Sequence, residues 1–171
     1  MRPPILGILL LGTLFIGGLL SSGPPAASQT PQEKASFYTV DHYDPARDPA
    51  DDLGMTVGRA TAEGKRILLQ VGGDWCGWCK RLDLFIADHQ AIWNQVEADF
   101  LIMKVTMDRE NPNEAFLSQY PTIPGYPHIY VLESDGTFLY SKNTVELEEG
   151  STYNEEAILT FLDEWKPGCS G

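Results

Sequence analysis

Cys76 and Cys79 are separated by two residues in the run Gly73-Asp74-Trp75-Cys76-Gly77-Trp78-Cys79-Lys80. The run follows the apolar stretch Ile67-Leu68-Leu69-Gln70-Val71 and precedes a helical pattern that starts near Arg81. A short, almost wholly apolar stretch next to such a pattern reads as a buried strand running into a helix. At the start of a helix, residues three apart share one face, and their spacing suits the narrow geometry of a disulfide. Two thiols held in this way can open and close as a redox couple. Both sulfurs are expected at an accessible helix tip.

The rest of the chain places elements around that junction. Phe37 to Tyr43 alternates weakly and reads as a short first strand. Asp48-Pro49 is a helix start, with Asp48 as N-cap and Pro49 at the first helical position. Leu53, Val57 and Ala60 follow at helical spacing, and Gly64 ends the helix. After the cysteines come Leu82, Phe85 and Ile86, a break near His89, then Ile92, Trp93 and Val96. Phe100 to Val105 reads as a second buried strand. A short helix around Ala115 and Phe116 follows. The rigid Tyr120-Pro121-Thr122-Ile123-Pro124-Gly125-Tyr126-Pro127 leads to the strand His128 to Leu132. Ser134-Asp135-Gly136 turns into Thr137 to Tyr140. Residues 142–152 read as an acidic loop, and Asn154 to Trp165 as an amphipathic closing helix. Alternating elements closed by a hairpin predict an α/β fold, a mixed central sheet with helices on both faces.

The N-terminus reads differently. Arg2 precedes the apolar run Ile5 to Leu20, and small residues and turn formers occupy 21–28. That order matches a secretory signal peptide, and the run is short for a membrane-spanning helix, which needs about 20 residues. An uncleaved anchor is the alternative, and only then would the chain touch a membrane. Residues 1–28 are therefore expected as the targeting segment and 29–47 as linker and N-terminal extension. Residues 48–166 are expected as the folded domain, and 167–171 as the tail. Export to a periplasmic or other extracytoplasmic space exposes the thiols to oxidising conditions. The chain has three cysteines, so they cannot all pair internally. Cys169 in the tail is either an incidental thiol or an intermolecular or resolving one.

A net charge of −12 argues against nucleic-acid binding, because an acidic surface repels phosphate. A closed zinc site needs four ligands, and no second Cys or His pair is present. Haem attachment needs His after the second cysteine, where Lys80 stands. No metal and no cofactor are expected. His128 either tunes the nearby site or is a partly exposed strand residue; His42 and His89 read as surface residues. Trp93 and Trp165 read as core.

With these motifs in place the chain resembles the thioredoxin-like family. Trp75-Cys76-Gly77-Trp78-Cys79-Lys80 is similar to the family's Trp-Cys-Gly-Pro-Cys-Lys. Gly125-Tyr126-Pro127-His128 resembles its Gly-Ile-Pro-Thr, whose proline is cis and faces the disulfide. Lys104-Val105-Thr106-Met107-Asp108 resembles the strand and turn after the active-site helix. Residues of about 50–166 carry the resemblance, and the N-terminus makes the chain look like an exported bacterial member.

The resemblance implies a thiol–disulfide oxidoreductase acting on protein thiols and disulfides and served by an electron donor or acceptor. Cys76 would be the nucleophile and Cys79 the resolving thiol. Trp75, Gly77, Trp78, Lys80, Tyr126 and Pro127 would shape the site. A binding or assembly module with a static disulfide is the alternative function. Two departures matter. Trp78 replaces the proline between the cysteines, which changes the potential on a scale of about 30 mV per 1.4 kcal/mol. Gln70 replaces a buried aspartate that helps move protons, and it cannot ionise. Water, Asp74 or Lys104 must take over, or exchange slows.

Overall fold

The computed structural model describes residues 37–169. The expected targeting segment 1–28, residues 29–36 of the expected linker and the last two residues of the tail lie outside the described residues.

A five-stranded sheet forms the centre of the fold, in the order β1-β3-β2-β4-β5. β2 (Arg66–Gly72) and β3 (Phe100–Thr106) are buried along their whole length. This is what near-continuous apolar runs in the middle of a parallel pair predict. They pair in parallel, with Gln70 opposite Lys104 and Gly72 opposite Thr106. A parallel pair needs a long crossover. Two helices supply it, α2 (Gly77–Asp88) and α3 (Gln90–Asp99). β4 (His128–Leu132) runs antiparallel to β2, and β5 (Phe138–Asn143) antiparallel to β4. β1 (Tyr38–Val40) pairs in parallel with β3 at the other edge. It is shorter than Phe37 to Tyr43, and it puts part of the 29–47 stretch into the sheet.

Alternation along the strands sorts the core into two layers. Leu68, Ile102, Ile129 and Val131 face α2, α3 and the closing helix α5 (Glu155–Trp165) through Leu82, Ile86, Ile92, Phe161 and Leu162. Ile67, Leu69, Val71, Leu101, Met103 and Tyr130 face the other way, toward Ala60 and Phe116. Those two belong to α1 (Pro49–Glu63) and the short α4 (Glu114–Leu117). Helices therefore cover both faces of a mixed sheet, as the element order predicts.

Helix ends obey their local chemistry. The Asp48 carboxylate accepts the Ala50 amide at 2.8 Å, and Gly64 closes α1 in the left-handed region at φ 67°. The face of α1 that is fully buried is Asp52, Thr56 and Ala60, while Leu53 and Val57 pack at its margin. Asp52 is tolerated there because Arg47 donates to its carboxylate, Nε at 2.7 Å.

The acidic stretch 142–152 is more ordered than a solvated loop. It forms a 3-10 turn (Thr144–Leu147) and a small hairpin of β6 (Glu148–Glu149) and β7 (Thr152–Tyr153). Leu147 and Tyr153 are each 2 % exposed and anchor it to the core, which the surrounding acids conceal in the sequence. His89 also departs from a surface reading. It ends α2, stacks on Phe85 with centroids 3.7 Å apart, and its Nδ1 lies 2.8 Å from the Phe85 carbonyl.

Candidate active site

α2 begins at the first cysteine. Cys76 is its N-cap: the backbone is extended, and Sγ accepts the Cys79 amide at 3.1 Å. The cap therefore turns the sulfur toward the orphan amides and the positive end of the helix dipole, which favour a thiolate. Cys76 and Cys79 are joined as a disulfide with Cα atoms 5.2 Å apart. Cys76 retains 4 % of its surface and Cys79 none. The helix tip is thus more covered than the sequence suggests. Tyr43, Trp78 and Tyr126 pack against the pair, and only Cys76 offers any surface to a second molecule.

Two glycines make room beneath. A methyl carbon on Gly72 would lie 2.5 Å from Cys79 Sγ and 2.9 Å from the Tyr43 hydroxyl oxygen. One on Gly73 would lie 2.4 Å from Trp75 Nε1. Only glycine lets the strand end approach the sulfur and the indole this closely.

Trp75 stands beside the disulfide, 58 % exposed. Its Nε1 donates to the Met107 carbonyl at 2.9 Å, and its ring meets Tyr126 edge-on at 5.5 Å. The Tyr126–Pro127 peptide bond is cis. Thr144 Oγ1 donates to the Pro127 carbonyl, tying this turn to the 3-10 segment. Trp78 is half-buried, edge-on to Tyr153 at 5.4 Å, with Arg81 over its face at 4.6 Å. Gly77, Lys80 and Asp74 are exposed.

Behind the disulfide lies a polar chain that the sequence only half discloses. Gln70 Nε2 donates to the Tyr43 hydroxyl and to Asp83 Oδ1, both at 3.0 Å. Lys104 Nζ lies 2.7 Å from Asp83 Oδ2, and it sits over the rings of Tyr38 and Tyr43 at 5.2 and 5.3 Å. Gln70 and Lys104 meet because they are register partners on adjacent strands and face α2. The fold brings Lys104 to Gln70 and leaves Asp74 exposed, outside the chain.

Asp83 and Tyr43 complete it, and neither is apparent in a reading by motif. Asp83 carried a signal: it stands four residues after Cys79, among Leu82, Phe85 and Ile86 on the buried side of α2. An acid there calls for a buried cation, and Lys104 is the lysine inside an apolar strand. Tyr43 lies in a loop and carried none. Burial pushes the Tyr43 hydroxyl well above its ordinary range, and the Asp83 charge adds to it; Tyr38 is raised for the same two reasons. Both stay protonated.

His128 follows the cis proline and is 1 % exposed, not a partly exposed strand residue. Its Nε2 lies 2.8 Å from Ser141 Oγ, while Nδ1 has no hydrogen-bond partner. Burial lowers its pKa from 6.5 to about 4. The folded state therefore prefers neutral imidazole. The stability this confers is complete above about pH 6.5 and drains away as pH falls toward 4, roughly 3 kcal/mol in all. Urea midpoints measured at pH 7 and pH 4.5 should separate less in His128→Gln than in the unaltered chain. Equal separation would show that His128 does not titrate with unfolding.

Among the described residues, no three His, Cys, Asp or Glu side chains converge as a metal site. A helix-capping disulfide beside a cis proline, at the end of the central strand of a five-stranded mixed sheet, defines a thioredoxin-like fold. The model of the family described as thioredoxin-like matches residues 48–134. The chain belongs to that family.

Related proteins agree. Over 135 residues the chain is 24 % identical to the thiol:disulfide interchange protein DsbD of Vibrio cholerae serotype O1, covering 74 % of this chain and 21 % of that protein. The chain thus spans about a fifth of that relative. Among solved structures, a disulphide isomerase from Xylella fastidiosa Temecula1 superposes with a TM-score of 0.61 at 22 % identity. That match covers 71 % of this chain and 94 % of the isomerase. The reduced C-terminal domain of DsbD from Neisseria meningitidis gives 0.51 at 17 % identity, covering 70 % and 97 %. At these identities the structures speak for the fold.

Proposed function

We propose that this chain is an exported thiol–disulfide oxidoreductase that exchanges its Cys76–Cys79 disulfide with protein thiols and disulfides. The observation that carries the proposal is the disulfide at the N-cap of α2 with surface left on Cys76 alone. Export is supported by the apolar run after Arg2 and by the relatives that handle disulfides.

In the reducing direction, the Cys76 thiolate attacks one sulfur of a client disulfide. The client bond breaks, its second sulfur leaves as a thiolate and takes a proton, and a mixed disulfide joins Cys76 to the client. Cys79 then loses its proton and attacks Cys76 Sγ. The bond to the client breaks, the second client thiolate departs, and Cys76–Cys79 closes. Two electrons pass to the client, and a dithiol donor must restore the pair. The oxidising direction is the same sequence reversed.

The buried chain serves the second step. Tyr43 lies under Cys79, Gln70 links it to Asp83, and Asp83 is the carboxylate of the chain. The ionisable group thus arrives from α2 in place of the strand aspartate that Gln70 replaces. Lys104 holds that carboxylate in position. Trp75 offers an apolar wall. Pro127 has no amide hydrogen, and the backbone of Tyr126 docks an extended client beside Cys76.

The near-complete burial of the pair favours one rival, a binding module with a static disulfide. Equilibration with glutathione separates the two. An exchanging couple should give a reduction potential above about −300 mV and speed the reduction of a protein disulfide by dithiothreitol. A potential below about −300 mV with no acceleration marks the static bond.

A further inference from the structure

An open groove of about 880 Å³ begins at Trp75 and runs along the turn after β3. Its apolar part is the Trp75 indole with Met107 and Pro112, and its polar part is Asp108, Arg109, Glu110 and Glu114. Three carboxylates stand against one guanidinium. Asp108 is committed structurally, since Oδ1 accepts the amides of Glu110 at 2.9 Å and Asn111 at 2.6 Å. Glu110 and Glu114 are exposed, and among the described residues neither forms an ion pair, nor does Arg109.

We propose that this groove selects clients, by taking an extended client segment with lysine or arginine beside its reactive cysteine. The inference rests on the oxidoreductase reading and adds the substrate class to it. The groove begins at Trp75, the residue before Cys76, so a client whose sulfur reaches Cys76 and whose backbone lies at Tyr126 can lay the flank on the other side of its cysteine along the indole. On this side the flank meets an apolar wall with an acidic rim. Aliphatic stems of lysine or arginine lie along tryptophan while their charged ends reach the carboxylates. A metal ion is not the fitting occupant, because no cation-binding cluster forms among the described residues. A second copy of the chain would bring the same charge of −12 and be repelled. Charges at such a rim act mainly on encounter rates and on the choice of partner, and salt screens them.

The test uses two disulfide-linked peptides, alike except that one carries Lys-Lys and the other Glu-Glu beside the cysteine. With the pre-reduced protein at low salt, the Lys-Lys peptide should be reduced about fivefold faster, and high salt should erase most of the difference. Glu110→Lys/Glu114→Lys should abolish or invert the preference, and Glu110→Lys alone should weaken it. Glu97→Lys/Glu156→Lys changes the net charge equally at exposed positions outside the groove and should leave the preference standing. Equal rates for both peptides, or an equal loss in the control variant, would overturn the groove as selector while leaving the exchange activity intact. If neither peptide reacts, the oxidoreductase reading itself fails and takes the inference with it.

Discussion

Cys76→Ser is expected to lower the reduction of a protein disulfide by about a thousandfold or more, equivalent to about 4 kcal/mol of barrier. A serine hydroxyl does not ionise at neutral pH, and the helix terminus cannot bring it into range as it does a thiol. Cys79→Ser should fail differently. Its Cys76 still attacks, the mixed disulfide has no internal thiol to resolve it, and a covalent client adduct accumulates. Non-reducing electrophoresis and intact mass would show the adduct in Cys79→Ser and not in Cys76→Ser. Each variant loses the same short disulfide loop, which the chain-entropy model values at about 2 kcal/mol. Lost stability is therefore common to both and cannot produce the contrast. Wild-type turnover in both variants would refute the exchange mechanism.

Asp83→Asn should cost about 2–3 kcal/mol in unfolding free energy. Lys104 is 6 % exposed, and the substitution leaves its ammonium facing an amide in a site with little water. The Asp83 side chain is 28 % exposed, so the carboxylate itself is partly solvated, and the penalty falls chiefly on the lysine. Lys104→Met should then cost less in the Asp83→Asn background than alone, with a coupling of about 1–2 kcal/mol. Urea unfolding of the four proteins measures it. Strictly additive costs would show that the pair is not an energetic unit. Single-turnover kinetics should show the second role. Resolution of the mixed disulfide by Cys79 slows about tenfold in Asp83→Asn, whereas attack by Cys76 does not. Equal slowing of both steps would mean that Asp83 merely supports the fold.

Local chemistry was legible where it involved neighbours in the chain. The N-cap of α1, its glycine end, the break at His89 and the strand before the cysteines each follow from a few adjacent residues. The site was legible only as far as its motif extended. Lys104 and Gln70 stood out as polar residues in apolar strands, but their partner did not. Asp74 is nearer in sequence to the cysteines than Asp83, yet the turn points it to water. The 142–152 segment misled because its buried leucine, Leu147, stands among three glutamates and its second anchor, Tyr153, lies just past its end. His128 misled because burial on a strand depends on what packs against it.

Spacing alone put two sulfurs on one helical turn and placed that turn at the end of a buried strand, because three residues of helix span about the reach of a disulfide. Which carboxylate stands behind the sulfurs, how little of Cys76 is left open, and which acids border Trp75 all depend on strand register and on the meeting of segments far apart in the chain. Those follow from packing, since a side chain's partner is set by the register that buries the most apolar surface and not by its distance along the backbone.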